Sequence, residues 1–223
     1  MHAEHGLAQL CSWRHCCADS CTISSHFDME AMMATTIEQT VEQLYIAYFS
    51  RPADPKGLAY WENVLTTNPD GVQQISAAFA GSQEYKDTYA GLDNTGVVQA
   101  VYHNLFGRAG EQAGVDYWVN LLNNHTITVD NVVTTIASGA QNSDKLVYDG
   151  RVAVATSFTA HVDQPAEIAA YSGTAANVQA KAFIGTIVDL QSAAYAIDPG
   201  VIDTKIAEIV GSATGTNVPH HLA

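Results

Sequence analysis

Residues 48–61, YFSRPADPKGLAYW, recur 57 positions later as LFGRAGEQAGVDYW at 105–118. When 41–65 is aligned with 98–122, nine of 25 positions are identical: Val41, Tyr45, Phe49, Arg51, Gly57, Tyr60, Trp61, Asn63 and Leu65 each meet their own residue type 57 positions on. A repeat of this kind constrains the fold more than any composition does. It calls for two copies of one supersecondary unit, neither of which buries its apolar face alone.

The unit is helical. Val41, Leu44, Tyr45 and Tyr48 stand at i, i+3, i+4 and i+7, as do Val98, Val101, Tyr102 and Leu105, so each set lines one face of a helix. The first helix is expected over 35–50, with Thr35 or Thr36 as its cap and Glu38 in its first turn. Arg51-Pro52 ends it, because a residue before proline avoids helical angles. Asp54 then caps a second helix and Pro55 takes its first position, where a missing N–H costs nothing. Leu58, Trp61, Val64 and Leu65 give that helix its apolar face, and TTNPDG at 66–71 breaks it. A third helix is expected over about 70–80. Gly81-Ser82 reads as stop and cap for a short helix carrying Tyr85 and Tyr89, and AGLDNTG at 90–96 as a loop. The second copy repeats the order, with helices expected near 95–107, 111–123 and 128–138.

Beyond Gly150 the pattern changes to VAVATSFTAHV, PAEIAAYSG, ANVQAKAFIGTIVDLQSAA and DPGVIDTKIAEIV, each helical by period and separated by Pro165, Gly173 and Pro199. No strand pattern is present, so the expected class is all-α: two imperfect copies (35–91 and 92–150) and a helical extension (151–210), together one domain over 33–210. GSATGTNVPHHLA at 211–223 reads as a flexible tail.

Residues 1–32 differ from the rest. They hold all four cysteines (Cys11, Cys16, Cys17, Cys21) and four of the nine histidines, show no helical or strand period, and precede a second methionine start at Met33. They read as a leader or upstream extension. Their spacing matches no CxxC pairing of a zinc site. From Met33 onward the chain has no cysteine, 19 acidic and 8 basic residues. With a net charge of −14 it lacks the basic stripes that displace phosphate counterions, so nucleic acid is excluded as a partner. No apolar run reaches the roughly 18 residues of a membrane span. A cysteine-free acidic body suits a bacterial protein exported without a signal peptide, to the medium or the cell surface.

The ordered segments LYIAYFSRPADPKGLAYW, ISAAFAGSQEY, VYHNLFGRAGEQAGVDYW and SFTAHVD…EIAAYSG resemble an all-helical bacterial domain family of unassigned function. That family is found in secreted proteins with haemolysin-type calcium-binding repeats and in surface-layer-like proteins. The pattern is also similar to that of phycobilisome linker polypeptides. The resemblance covers about 34–172 and implies an extracellular or cell-surface role. The glycine- and aspartate-rich nonapeptides that bind calcium in the larger relatives are missing here.

Candidate site residues follow from the repeat. Tyr60-Trp61 and Tyr117-Trp118 place two aromatics side by side on a helix, about 100° apart, so one of each pair can pack inward while the other stacks on a sugar ring. Arg51 and Arg108, scarce cations at helix ends, suit either a macrodipole and carboxylate tie to Asp54 and Glu111 three residues on, or an anionic ligand. Asp54, Glu62, Glu111 and Asp116 are the carboxylates beside the aromatics. A glycosidase would need two of them about 5.5 Å or about 6.5–9.5 Å apart. No G-x-S-x-G is present, and His103, His125 and His161 are scattered. No cofactor is expected. Asp and Asn oxygens in TNPDG (67–71) and LDNTG (92–96) could coordinate Ca²⁺, although neither turn has the ligand series of an EF-hand. The leading reading is a secreted, non-catalytic module that binds a surface glycan or a protein partner. The alternatives are a small glycoside hydrolase, and a self-assembling surface-layer or linker-type structural protein that forms homo-oligomers.

Overall fold

The computed structural model describes residues 36–214, and among these it has twelve helices and no strand. The first copy consists of α1 (36–49), α2 (Pro55–Thr67), α3 (Gly71–Gly81) and α4 (Gln83–Tyr89). The second consists of α5 (Asn94–Phe106), α6 (Gln112–Asn123), α7 (Val132–Ser138) and the start of α8 (Asn142–His161). The remainder of α8, α9 (Pro165–Ala170), α10 (Gly173–Gly185), α11 (Leu190–Ala196) and α12 (Pro199–Thr214) form the C-terminal group.

The two helices that open the copies are the core. Every residue from Leu44 to Phe49 is buried, and Val97, Val98, Val101, Tyr102, Leu105 and Phe106 are their counterparts on α5. A helix apolar all round must be enclosed, and α2–α4, α6–α8 and the C-terminal group supply the enclosure. Phe79 on α3 is the hub of the first copy: its ring lies 4.9 Å from Tyr45, 5.7 Å from Tyr48, 4.7 Å from Phe49 and 5.3 Å from Trp61. Full burial of each such side chain contributes about 1.5–3 kcal/mol. Ile136 stands at the equivalent position of the second copy and is also buried.

Both opening helices end in the same way. The amides of Ser50 and Gly107 donate to the carbonyls of Ile46 and His103 at 3.0 and 2.9 Å, and both residues take left-handed angles, with φ of 54° and 70°. Gly107 adopts this freely, whereas a non-glycine residue such as Ser50 is strained by roughly 1–2 kcal/mol.

Three expectations about the C-terminal half are corrected. The border expected at 150/151 falls inside α8, which runs unbroken from Asn142 to His161. Gly150 is a close contact there: a β-carbon on it would lie 2.9 Å from the Ala193 methyl of α11. The segment ANVQAKAFIGTIVDLQSAA is two helices rather than one. α10 ends at Gly185, and Asp189 restarts the chain through a capping box, accepting from the Ser192 amide at 2.7 Å. α12 continues to Thr214, past the expected end of the body at 210.

Candidate functional site

The repeated stretch forms a corner between two helices, and its shared residues hold that corner together. Tyr45 and Tyr102 extend from α1 and α5 to the glycine of the following helix. Trp118 Nε1 donates to the Tyr102 hydroxyl at 3.3 Å, and a β-carbon on Gly114 would come within 2.8 Å of that oxygen. Gly57 bears the same relation to the Tyr45 hydroxyl. The tryptophans are half-buried and pack against the core. Their neighbours turn outward: Tyr60 is 59% exposed and Tyr117 57%, each edge-on to its tryptophan at 4.6 and 4.8 Å. The angle of about 100° between successive helical residues lets one ring pack inward while its neighbour turns out.

The arginines are ties. Arg51 donates from Nε and Nη2 to the two Glu84 oxygens at 3.0 and 2.9 Å and from Nη1 to the Pro52 carbonyl at 3.2 Å. Arg108 does the same with Asp144 at 2.7 Å twice and with the Ala109 carbonyl at 2.8 Å, and it also meets Glu111 at 2.8 Å. Each guanidinium lies near the ring of the preceding tyrosine, 5.4 Å from the centroid of Tyr45 or Tyr102. The expected partner of Arg51, Asp54, is instead the α2 cap, accepting from the Gly57 amide at 2.8 Å. The acids that matter stand 33 and 36 residues after the arginines, at the starts of α4 and α8, where a negative charge also suits the helix dipole. Arg51 is 7% exposed, with all three of its nitrogens engaged.

The four carboxylates are placed apart along their helices. Asp54 and Glu62 are eight residues apart, about 12 Å of helix rise, beyond glycosidase spacing. Glu111 and Asp116 are five apart and so face different sides of α6. Glu111 is exposed, and its own amide and Arg108 hold its carboxyl below the usual range. Asp116 accepts from the Gln112 side chain at 2.8 Å. Glu62 is half-buried; burial, and after it the Glu38 charge, pushes its carboxyl up.

Sequence reasoning missed Glu84, Asn177 and Lys181. With Asp87 and Val178 they line a cleft of about 400 Å³ between α4 and α10. Burial pushes the Lys181 ammonium down, while Glu84 pulls it back up. An acid just after the break that follows the third helix, present in both copies, was the signal for Glu84 and Asp144. Nothing local marks Asn177 or Lys181. Glu42 was missed too: it is fully buried, and its Oε2 accepts from the Ala53 amide at 3.0 Å.

The turns considered for Ca²⁺ spend oxygens on their own backbone. Asp93 Oδ1 accepts from the Gly96 amide at 2.7 Å, and Asn68 Oδ1 from the Asp70 amide at 2.9 Å. Among the described residues no group of three His, Cys, Asp or Glu side chains is placed to hold a metal, and no helix is long and apolar enough to cross a membrane. The Cys/His cluster of 1–32 lies outside the described residues.

Two helical copies with arginine-tied corners define an all-helical repeat domain. The chain belongs to the family described as Domain of unknown function (DUF4214), whose sequence model matches residues 18–89 and 76–146. The two matches overlap, and the first begins inside the stretch read as a leader. No curated protein and no solved structure matches the chain.

Proposed function

We propose that the domain is a non-catalytic binding module, acting outside the cell or at its surface, that holds a glycan or a protein partner on Tyr60 and Tyr117. One observation carries this reading: the repeat places a large aromatic in solvent twice, at equivalent positions, each braced by a half-buried tryptophan that packs against the core. A braced tyrosine offers a rigid apolar face with a polar rim at little entropic cost, and the C–H face of a pyranose ring stacks on such a surface. The resemblance to domains of secreted and surface-layer-like proteins, and a body without cysteine, support the location.

A glycan array probed with the full chain tests the proposal, followed by calorimetric titration of wild type, Tyr60→Ala, Tyr117→Ala and the double variant. Each single change is expected to weaken binding at least tenfold and the double change to abolish it, with the helical signal intact. Binding unchanged in the double variant, or no glycan retained by wild type, overturns the glycan reading.

Self-association is the second reading, and it has its own observation. Val188, Leu190, Tyr195 and Ile197, within and around α11, are all exposed, and such a set of surface apolar residues is a feature of assembly faces. Analytical ultracentrifugation of wild type and Tyr195→Ser separates it from the first.

A further inference from the structure

Glu42 is enclosed on all sides, and its hydrogen bonds fit only one protonation state. Its Oε2 accepts from the Ala53 amide at 3.0 Å. Its Oε1 lies 2.6 Å from the Thr159 hydroxyl oxygen, which lies 3.1 Å from the Ala53 carbonyl. A threonine hydroxyl has one proton. Against a carboxylate it must choose between Glu42 and the Ala53 carbonyl, and one of two buried acceptors goes without a donor. With the proton on Glu42 every group is served: Glu42 donates to Thr159, Thr159 donates to Ala53, and the Ala53 amide donates to Glu42.

The repeat contains the control. At the position equivalent to Glu42 the second copy has Gln99, whose side-chain oxygen accepts from the Gly110 amide at 3.0 Å, as Glu42 does from Ala53. The corner is therefore built in one copy around an amide and in the other around an acid of the same shape. We infer that Glu42 is folded as the neutral acid, and that its ionisation loosens the joint between α1, the start of α2 and α8. Burial pushes its carboxyl up to about 7 against the opposing pull of the Thr159 and Ala53 hydrogen bonds; Glu38 adds to the rise and Arg51 opposes it. The charged and titratable groups that face it are Glu38 and Tyr45 on α1, Arg51 at the corner and Tyr171 after α9; α8 presents Thr159. Arg51 is already paired with Glu84. A second anion beside it would compete for that pair, so ionisation reaches the Arg51–Glu84 tie as well.

The folded protein then holds a proton that the unfolded chain, at 4.5, has released. Stability accordingly falls as pH rises from 4.5 to about 7, by up to tenfold in the folding constant per pH unit, and is level above that. Carbon-13 NMR of the full chain at pH 5.5 is expected to show the Glu42 carboxyl at the neutral-acid shift while exposed glutamates are ionised. Urea unfolding across pH 4.5–8 is expected to show a shallower decline for Glu42→Gln than for wild type. A Glu42 carboxylate at pH 5.5, or a wild-type slope in Glu42→Gln, overturns the inference. The NMR measurement needs no variant, so it decides the question even if Glu42→Gln does not fold.

Discussion

The Tyr45 hydroxyl occupies the place where a side chain on Gly57 would begin, and the Tyr102 hydroxyl stands in the same relation to Gly114. The two copies thus share a tyrosine, the glycine that admits it and the tryptophan beside it, a set whose common purpose is close packing of two helices. Gly57→Ala is expected to destabilise the domain by about 2 kcal/mol and Gly114→Ala by about 1 kcal/mol, since an overpacked core must shift. Adding Tyr45→Phe to Gly57→Ala recovers part of the loss. Urea unfolding of the four proteins in that cycle measures the coupling, and strict additivity contradicts the contact.

The two αL positions respond in opposite directions. Ser50→Gly relieves a strained φ and is expected to stabilise by about 0.5 kcal/mol once the added freedom of the unfolded chain is counted. Gly107→Ala introduces that strain and places a β-carbon 2.9 Å from an Arg151 nitrogen and 3.0 Å from Val188. A cost of about 2 kcal/mol follows. Thermal unfolding midpoints that move in the same direction contradict the assignment.

The arginine ties differ in burial, and so in worth. The Arg51 and Arg108 side chains are 9% and 34% exposed. Arg51→Met is expected to cost about 3 kcal/mol, because it removes the bidentate partner of Glu84 and the guanidinium stacked by Tyr45 and Phe49. Arg108→Met costs about 1 kcal/mol or less. Raising the salt concentration narrows the Arg108 penalty and leaves that of Arg51 in place, as unfolding at low and high sodium chloride will show.

Trp61 and Tyr60 are adjacent in sequence and opposite in consequence. Trp61→Ala opens a hole beside Phe79 and is expected to cost about 3 kcal/mol. Tyr60→Ala stays within about 0.5 kcal/mol. A comparable loss of stability for both would return Tyr60 to the scaffold and remove it from any binding surface.

Much of the candidate site was legible in the sequence, because the repeat isolates the residues that the corner needs. Tyr45, Phe49, Arg51, Gly57 and Trp61 recur in the second copy, and each packs inward or ties the turn. The partners were legible only in part: Glu111 meets Arg108 as its spacing suggested, but Glu84 and Asp144 carried no local sign of their pairing. Asp54 stood at the ideal spacing for Arg51 yet serves the Gly57 amide, because a cap is satisfied within one turn, whereas Arg51 faces inward toward the start of α4. The border expected at 150/151 falls instead within α8, at Gly150. Glycine is a breaker by local propensity, but a helix keeps one where another helix must come close.

The sequence by itself determined the all-helical class, the two copies and the sharp corner between the first two helices of each. Those follow from period, from caps, and from proline in the first copy and glycine in the second, signals that act over three or four residues. Only the tertiary structure decided which aromatic of each pair meets solvent, that Glu84 and Asp144 close the arginines, and that Glu42 lies sealed against Thr159, 117 residues away. Those outcomes depend on which surfaces pack together once the helices exist, and burial then sets the protonation and the strength of whatever it encloses.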